Sequence, residues 1–293
     1  MNIRKNVNAL TSTEKQNLLN ALKGLKANGN YNNYVQMHAA AAAYPCPSTV
    51  SPSYRNAAHN GPAFLPWHRQ FILLFEQDLQ AQVPEVTLPY WDWASDAALP
   101  DPATAPVWTS DLMGGNGDPN NDWLVTTGSF AYNPSDPNSW YIVDQNGNNL
   151  GGLKRQFGQQ SSGLPLQDEV DATLAQLPYD QSPWDGSDGQ DHRNMIEGWY
   201  QCCHLHNQVH LWVGQSMLPM TSPNDPVFFL HHCNVDRLWF QWQAQQPDAG
   251  YVPISDGPPG HNLNDPMFPW DTGTNIVTPA SVLDITALGY TYQ

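Results

Sequence analysis

Asn224-Asp225-Pro226-Val227-Phe228-Phe229-Leu230-His231-His232-Cys233-Asn234-Val235-Asp236-Arg237-Leu238-Trp239 is the stretch whose reading decides the fold. Asp225 followed by Pro226 has the form of a helix cap and first turn, because the carboxylate accepts free N–H groups and proline needs no acceptor there. On the helix that follows, His232, Val235, Asp236 and Trp239 fall along one side. His232 therefore faces the core. Asp236, one turn behind it, is placed to accept the second ring N–H of His232, or to pair with Arg69 or Arg237 and tie helices together.

The same pattern recurs upstream. His206 and His210 are four residues apart, so on a helix they stack on one face and can bite a single metal ion. Nearer the front, Asn32 to Ala43 has high helix propensity and no breaker before Pro45, which puts His38 on a helix. His59 sits in the loop-like stretch between Pro45 and Gly61. Pro66 fits the first turn of another helix, on which His68, Phe75 and Leu79 share a face. Eight of the ten histidines thus form two clusters: His38, His59 and His68, then His204, His206, His210, His231 and His232. Neutral imidazole is the commonest metal ligand, and two groups each able to supply three nitrogens predict a paired site. An imidazole-only ligand set points toward copper, with zinc second, and spacing does not separate the two.

Around these helices the expected fold class is mainly α: a four-helix bundle holding a dinuclear metal site, with long loops and few short strands. Thr11-Ser12-Thr13-Glu14 has the form of a capping box for an opening amphipathic helix. From Pro89 to Gly189 turn signals dominate, with a short strand at Trp140 to Val143. Trp91, Trp93, Trp108, Trp123 and Trp140 are expected to pack over the helices.

Composition sets the frame. Twenty-six prolines and 21 glycines are spread along 293 residues without a break, so a single domain over 1–293 is expected. Eleven basic residues against 27 acidic ones give a net charge of −16, which repels phosphate backbones and anionic membranes and excludes nucleic acid as a partner. No stretch has signal-peptide or membrane-spanning length, so the expected location is cytoplasmic by default, with export left open. Cys46, Cys202, Cys203 and Cys233 form no C-x-x-C motif and read as buried free thiols.

Three segments carry a resemblance. His59-Asn60-Gly61-Pro62 through Phe64-Leu65-Pro66-Trp67-His68-Arg69, His206-Asn207-Gln208-Val209-His210-Leu211-Trp212-Val213-Gly214, and the opening Asn224 to Trp239 stretch are similar to the two copper-binding motifs of tyrosinases and catechol oxidases. Leu88-Pro89-Tyr90-Trp91-Asp92-Trp93, Gly114 to Asp118 and Leu153 to Gly158 resemble that family's connecting segments. The resemblance implies a type-3 site with two copper ions and dioxygen as co-substrate. His38, His59 and His68 would hold one copper, and His206, His210 and His232 the other. His231 would stand behind the ligands, and His204, His192 and His261 would be structural.

It further implies that Glu197 and Asn207 hold a water that takes the proton of a monophenol, which favours hydroxylation of monophenols as well as oxidation of o-diphenols. A catechol or o-aminophenol oxidase without hydroxylase activity and a hemocyanin-like oxygen carrier are the alternatives. Leu211 stands where some members carry arginine, which makes the entrance less polar and weakens preference for carboxylated substrates. Met217 to Met220 are expected near the mouth. Cys46 is a candidate for the thioether that some members form to the second histidine of the first site, here His59, although its spacing differs. Gly289-Tyr290-Thr291-Tyr292-Gln293 resembles the Tyr-x-Tyr segment that closes the family's core domain, and with Arg4 it would clasp the termini. No C-terminal shielding domain is expected, and a copper-delivering caddie protein is a possible partner.

Overall fold

The computed structural model describes residues 1–46, 55–187, 189–199 and 204–293. Helix α1 (Ser12–Ala27) begins at the expected capping box: Glu14 N–H donates to Thr11 Oγ1, and the Glu14 carboxylate accepts from Thr11 N–H. Its buried leucines Leu18, Leu22 and Leu25 lie against α2 (Asn30–Ala43) and α3 (Phe64–Gln82). Helix α2 starts two residues before the expected Asn32, because Gly29 at φ 84° makes the left-handed turn out of α1.

Helix α3 carries Pro66 in its first turn, as expected, and packs along α8 (Val227–Gln245). The contact is aromatic: Phe75 and Phe229 stack with ring centroids 3.4 Å apart, and Phe71 lies 5.8 Å from Phe229. Asp225 acts as the expected cap for α8, accepting Val227 N–H at 3.1 Å. Arg155 grips the same carboxylate through both Nε and Nη2 at 2.7 Å, while its Nη1 donates to the carbonyls of Met113 and Gly114. That buried, bidentate pair pins the long middle of the chain onto the start of α8.

Between Pro89 and Gly189 the structure is richer than its turn signals suggest. It holds α4 (Trp93–Ala97) and α5 (Gln167–Ala175) as well as a strand pair, β2 (Ile142–Val143) with β3 (Asn149–Gly151). Helix α5 escapes periodicity because only Val170, Thr173 and Leu174 are buried on it; its support is tertiary, from α8 and α6 (His192–Glu197). Trp91, Trp93, Trp108 and Trp140 pack in the core as expected, whereas Trp123 is half-buried.

The termini are clasped by β1 (Asn2–Arg4), paired in parallel with β4 (Tyr290–Tyr292). Arg4 reaches inward from β1 to Glu76 at 2.7 Å and Asp236 at 3.2 Å, with its guanidinium 3.6 Å from the Tyr290 ring. Among the described residues no helix is long and apolar enough to cross a membrane. The functional scaffold is the set α2, α3, α8 and α7 (Leu205–Val213), which carry the clustered histidines apart from His59 and His204.

Candidate metal centre

His38 from α2, His59 from the loop before α3 and His68 from α3 converge, with ring centroids 4.9, 5.0 and 5.6 Å apart. His59 is aimed by Asn56, whose side-chain oxygen accepts the backbone N–H groups of Ala58 and His59 and lies 3.3 Å from His59 Nδ1. Asn60 follows at φ 57°, a left-handed residue that turns the chain toward α3. The second group is His206 and His210 from α7 with His231 and His232 from α8. Within each group one nitrogen per residue lies within 4.8 Å of the others, and among the described residues neither group contains a carboxylate or thiolate. The groups adjoin, since His68 and His232 stack at 4.2 Å.

Tautomers follow from the hydrogen bonds. Nδ1–H of His38 donates to the Met220 carbonyl at 2.7 Å, that of His68 to Phe64 at 2.9 Å, and that of His210 to Met217 at 2.6 Å. His206 Nδ1–H is shared between the Glu197 carbonyl at 3.1 Å and the Asn207 side-chain oxygen at 3.0 Å. A neutral imidazole that donates from Nδ1 has a lone pair on Nε2. His206 and His210 then aim two lone pairs at each other across 3.1 Å, and the buried Nε2 atoms of His38 and His68 meet no protein partner. Facing lone pairs repel, and orphaned buried acceptors are costly, unless a cation sits between them. Burial, first among the causes, pulls every ring in both groups below the ordinary histidine pKa, His38 and His210 to about 4. Neutral, lone-pair-bearing imidazoles are what a copper or zinc ion requires.

Beside the rings lies a cavity of about 290 Å³ lined by Glu197 and Asn207 and by the exposed side chains of Trp199 and Met220. Glu197 ends α6; its Oε1 accepts Asn60 N–H at 2.7 Å and its Oε2 accepts Arg193 Nη1 at 3.1 Å. Burial raises the Glu197 carboxyl above its ordinary range, against the opposing pull of Arg193 and Asn60. Gly198 follows at φ 107°, and a Cβ there would stand 2.3 Å from the His204 carbonyl and 2.8 Å from Asn207 Cβ. Only glycine lets α6 end this close to α7, which brings Glu197 and Asn207 to one wall.

Some expectations need correction. Of the two roles expected for Asp236, the helix-tying pair with Arg69 is the one found: it accepts from Arg69 at 2.5 Å, Arg4, Tyr290 at 2.7 Å and Tyr292, while the two nitrogens of His232 have no protein partner. Guanidinium groups outcompete a neutral imidazole N–H for a buried carboxylate. Arg237 turns instead to Asp92 at 3.3 Å. Met217 is core, whereas Met220 and Leu211 line the cavity. His204 pairs with Glu169 at 2.9 Å, and His192 donates to the Thr173 carbonyl at 2.9 Å while stacking on Trp242; both lie outside the two groups. The carbonyls of Phe64, Met217 and Met220 that aim the rings left no mark in the sequence because backbone oxygens have no identity there, and Asn56, which acts through its side-chain oxygen, belongs to none of the sequence motifs.

Cys46 and Cys233 are buried free thiols, and Cys202 and Cys203 lie outside the described residues. Ala63 N–H donates to His261 Nδ1 at 3.0 Å, so His261 carries its proton on Nε2 and offers it to Cys46 Sγ at 3.1 Å. With its sulfur engaged there, Cys46 is expected to form no thioether to His59. Intact-mass measurement of the folded protein should show the full complement of thiol hydrogens; loss of a hydrogen pair that maps to a Cys46–His59 cross-linked peptide would refute this.

Comparison with known proteins agrees with this geometry. Residues 28–245 match the family described as the common central domain of tyrosinase. A tyrosinase of Streptomyces antibioticus is 41 % identical over 288 residues, covering 98 % of this chain and 97 % of that relative. Grixazone synthase of Streptomyces griseus is 37 % identical over 325 residues, covering 100 % of this chain and 99 % of that protein. Among solved structures, a functional unit of Octopus hemocyanin shares the fold with a TM-score of 0.65 at 24 % identity, over 100 % of this chain and 68 % of that one. With the two imidazole groups, the helical frame and near full-length relatives all in agreement, the chain belongs to the tyrosinase family of type-3 copper proteins.

Proposed function

We propose that the protein is a copper phenol oxidase that uses dioxygen to hydroxylate monophenols to o-diphenols and to oxidise o-diphenols to o-quinones. The observation that carries this reading is the pair of imidazole groups with carbonyl-tied Nδ1 atoms and convergent Nε2 lone pairs beside a cavity of about 290 Å³. His38, His59 and His68 would hold one copper. His206, His210 and His232 would hold the other, with His232 preferred to His231 because its ring reaches across to His68, whereas His231 lies flat on His206 at 5.1 Å and extends toward Trp93. When bound, the copper pair supplies the two-electron chemistry with dioxygen. A dizinc hydrolase would need a bridging carboxylate, and among the described residues neither group has one.

The chain's own residues orient the ring and manage its proton. Glu197 and Asn207 face the cavity from one wall, and Glu197 is fixed by Asn60 and Arg193, so the pair can position a water to receive the phenolic proton. Asn207 is itself oriented by His206 Nδ1. Copper-loaded protein supplied with dioxygen and a monophenol, without added diphenol, should turn over. Oxidation of catechol alone would instead identify an o-diphenol or o-aminophenol oxidase.

Glu197→Gln keeps the shape and removes the acceptor charge. Hydroxylation of a monophenol should fall about 100-fold or more, the usual worth of a positioned base, while oxidation of the matching diphenol falls far less. Equal losses on both substrates would show that Glu197 does not handle the monophenol proton.

A further inference from the structure

The cavity has a polar inner end and an apolar rim, and no lysine or arginine lines it. Apart from the histidines, its one ionisable side chain among the described residues is Glu197; the rim is Leu211, Leu218, Pro219, Met220 and Trp199.

The chain has only 11 cations in all, and each is set elsewhere. Arg193, in contact with Glu197, is fully buried and also held by Asp180 at 2.7 Å and the Asp185 carbonyl at 2.9 Å. Arg4 and Arg69 bind Asp236, Arg155 binds Asp225, and Arg237 binds Asp92. Lys5, Lys15 and Lys154 pair with Glu14, Asp111 and Asp122. Arg55 donates to the carbonyls of Pro183 and Trp184. Lys26 lies among Tyr31, Trp140 and Tyr141, and Lys23 lines the separate small cavity beside it. The residues outside the described ones include neither lysine nor arginine, so no cation can reach the rim from there.

We infer that the site selects phenols whose ring substituent carries no carboxylate, with phenolic amines favoured above neutral phenols. The inference rests on the phenol oxidase reading above. A ring bound with its hydroxyl toward the imidazoles directs a para substituent to the rim. A carboxylate there loses hydration against leucine, proline and methionine, finds no counter-charge, and approaches through the field of a chain with net charge −16. An ammonium is drawn by the same field and can rest over the face of Trp199, which is 39 % exposed at the rim.

The test gives copper-loaded protein 4-(2-aminoethyl)phenol, 4-ethylphenol and 3-(4-hydroxyphenyl)propionate, each with its catechol counterpart, at low and high salt. Expected kcat/KM falls in that order, with amine and acid about tenfold or more apart at low salt and closer at high salt. Dissociation constants measured calorimetrically without dioxygen should follow the same order with no turnover involved. Leu211→Arg should raise kcat/KM for the acid relative to 4-ethylphenol by about two- to fivefold and lower it for the amine, whereas Leu211→Gln should leave the ratios in place. An acid that binds and reacts as well as 4-ethylphenol at low salt, or ratios unmoved by Leu211→Arg, would overturn the inference. If no phenol or catechol is turned over while the anaerobic binding order holds, the oxidase reading fails and the charge selection stands.

Discussion

Replacing His232 with alanine should leave the protein with about one copper per chain in place of two and lower phenol oxidation at least about a thousandfold, since several kcal/mol of metal-derived stabilisation go with the lost ion. Replacing His231 with asparagine should keep both coppers. The contrast is informative because both rings are fully buried and are neighbours in sequence. What separates them is direction: His232 stacks on His68 at the junction of the two groups, and His231 lies alongside His206. Metal analysis of the purified variants decides it. Full copper retention by His232→Ala, or loss of a copper from the His231 variant, would exchange their roles.

The second large effect is structural. Asp236→Ala should destabilise the fold by about 3–5 kcal/mol, because it strands two buried guanidinium groups, Arg4 and Arg69, that share this carboxylate. Burial by itself would raise the Asp236 carboxyl; Arg69 and Arg4 outweigh it and hold the group below its ordinary range. A carboxyl whose pKa is lowered by folding adds stability that is present above its unfolded pKa and lost as pH falls through the folded one. The destabilisation relative to wild type, read as a shift in urea midpoint, should therefore be full at neutral pH and shrink below about pH 4. A constant difference down to strongly acid pH would show that the carboxylate charge is not what Asp236 contributes.

Legibility in the sequence followed the range of the interaction. Helix α8 was legible because its cap, its apolar face and its histidines lie within twenty residues, and the same holds for the capping box of α1 and for Pro66 in α3. The histidines could be grouped from spacing and motif alone. Helix α5 was not legible, since three buried positions make no period and its stability comes from α8, about sixty residues away. Asp236 was legible only in part for the same reason: its pairing with Arg69 could be read from the sequence, whereas its other partners, Arg4, Tyr290 and Tyr292, arrive from the two ends of the chain. Nor could spacing reveal that Cys46 is claimed by His261, which is 215 positions distant.

The segment Met217–Met220 grips His210 through one backbone oxygen and His38 through another, while the side chains of Leu218, Pro219 and Met220 face the incoming ring. Its two duties are thus divided between backbone and side chain. Substitutions here can reshape what the mouth admits without touching a metal ligand, but lengthening or shortening the segment by a single residue would slide one oxygen off its imidazole and unsettle both halves of the centre together. An engineer wishing to change substrate preference should exchange these residues one for one and leave their number alone.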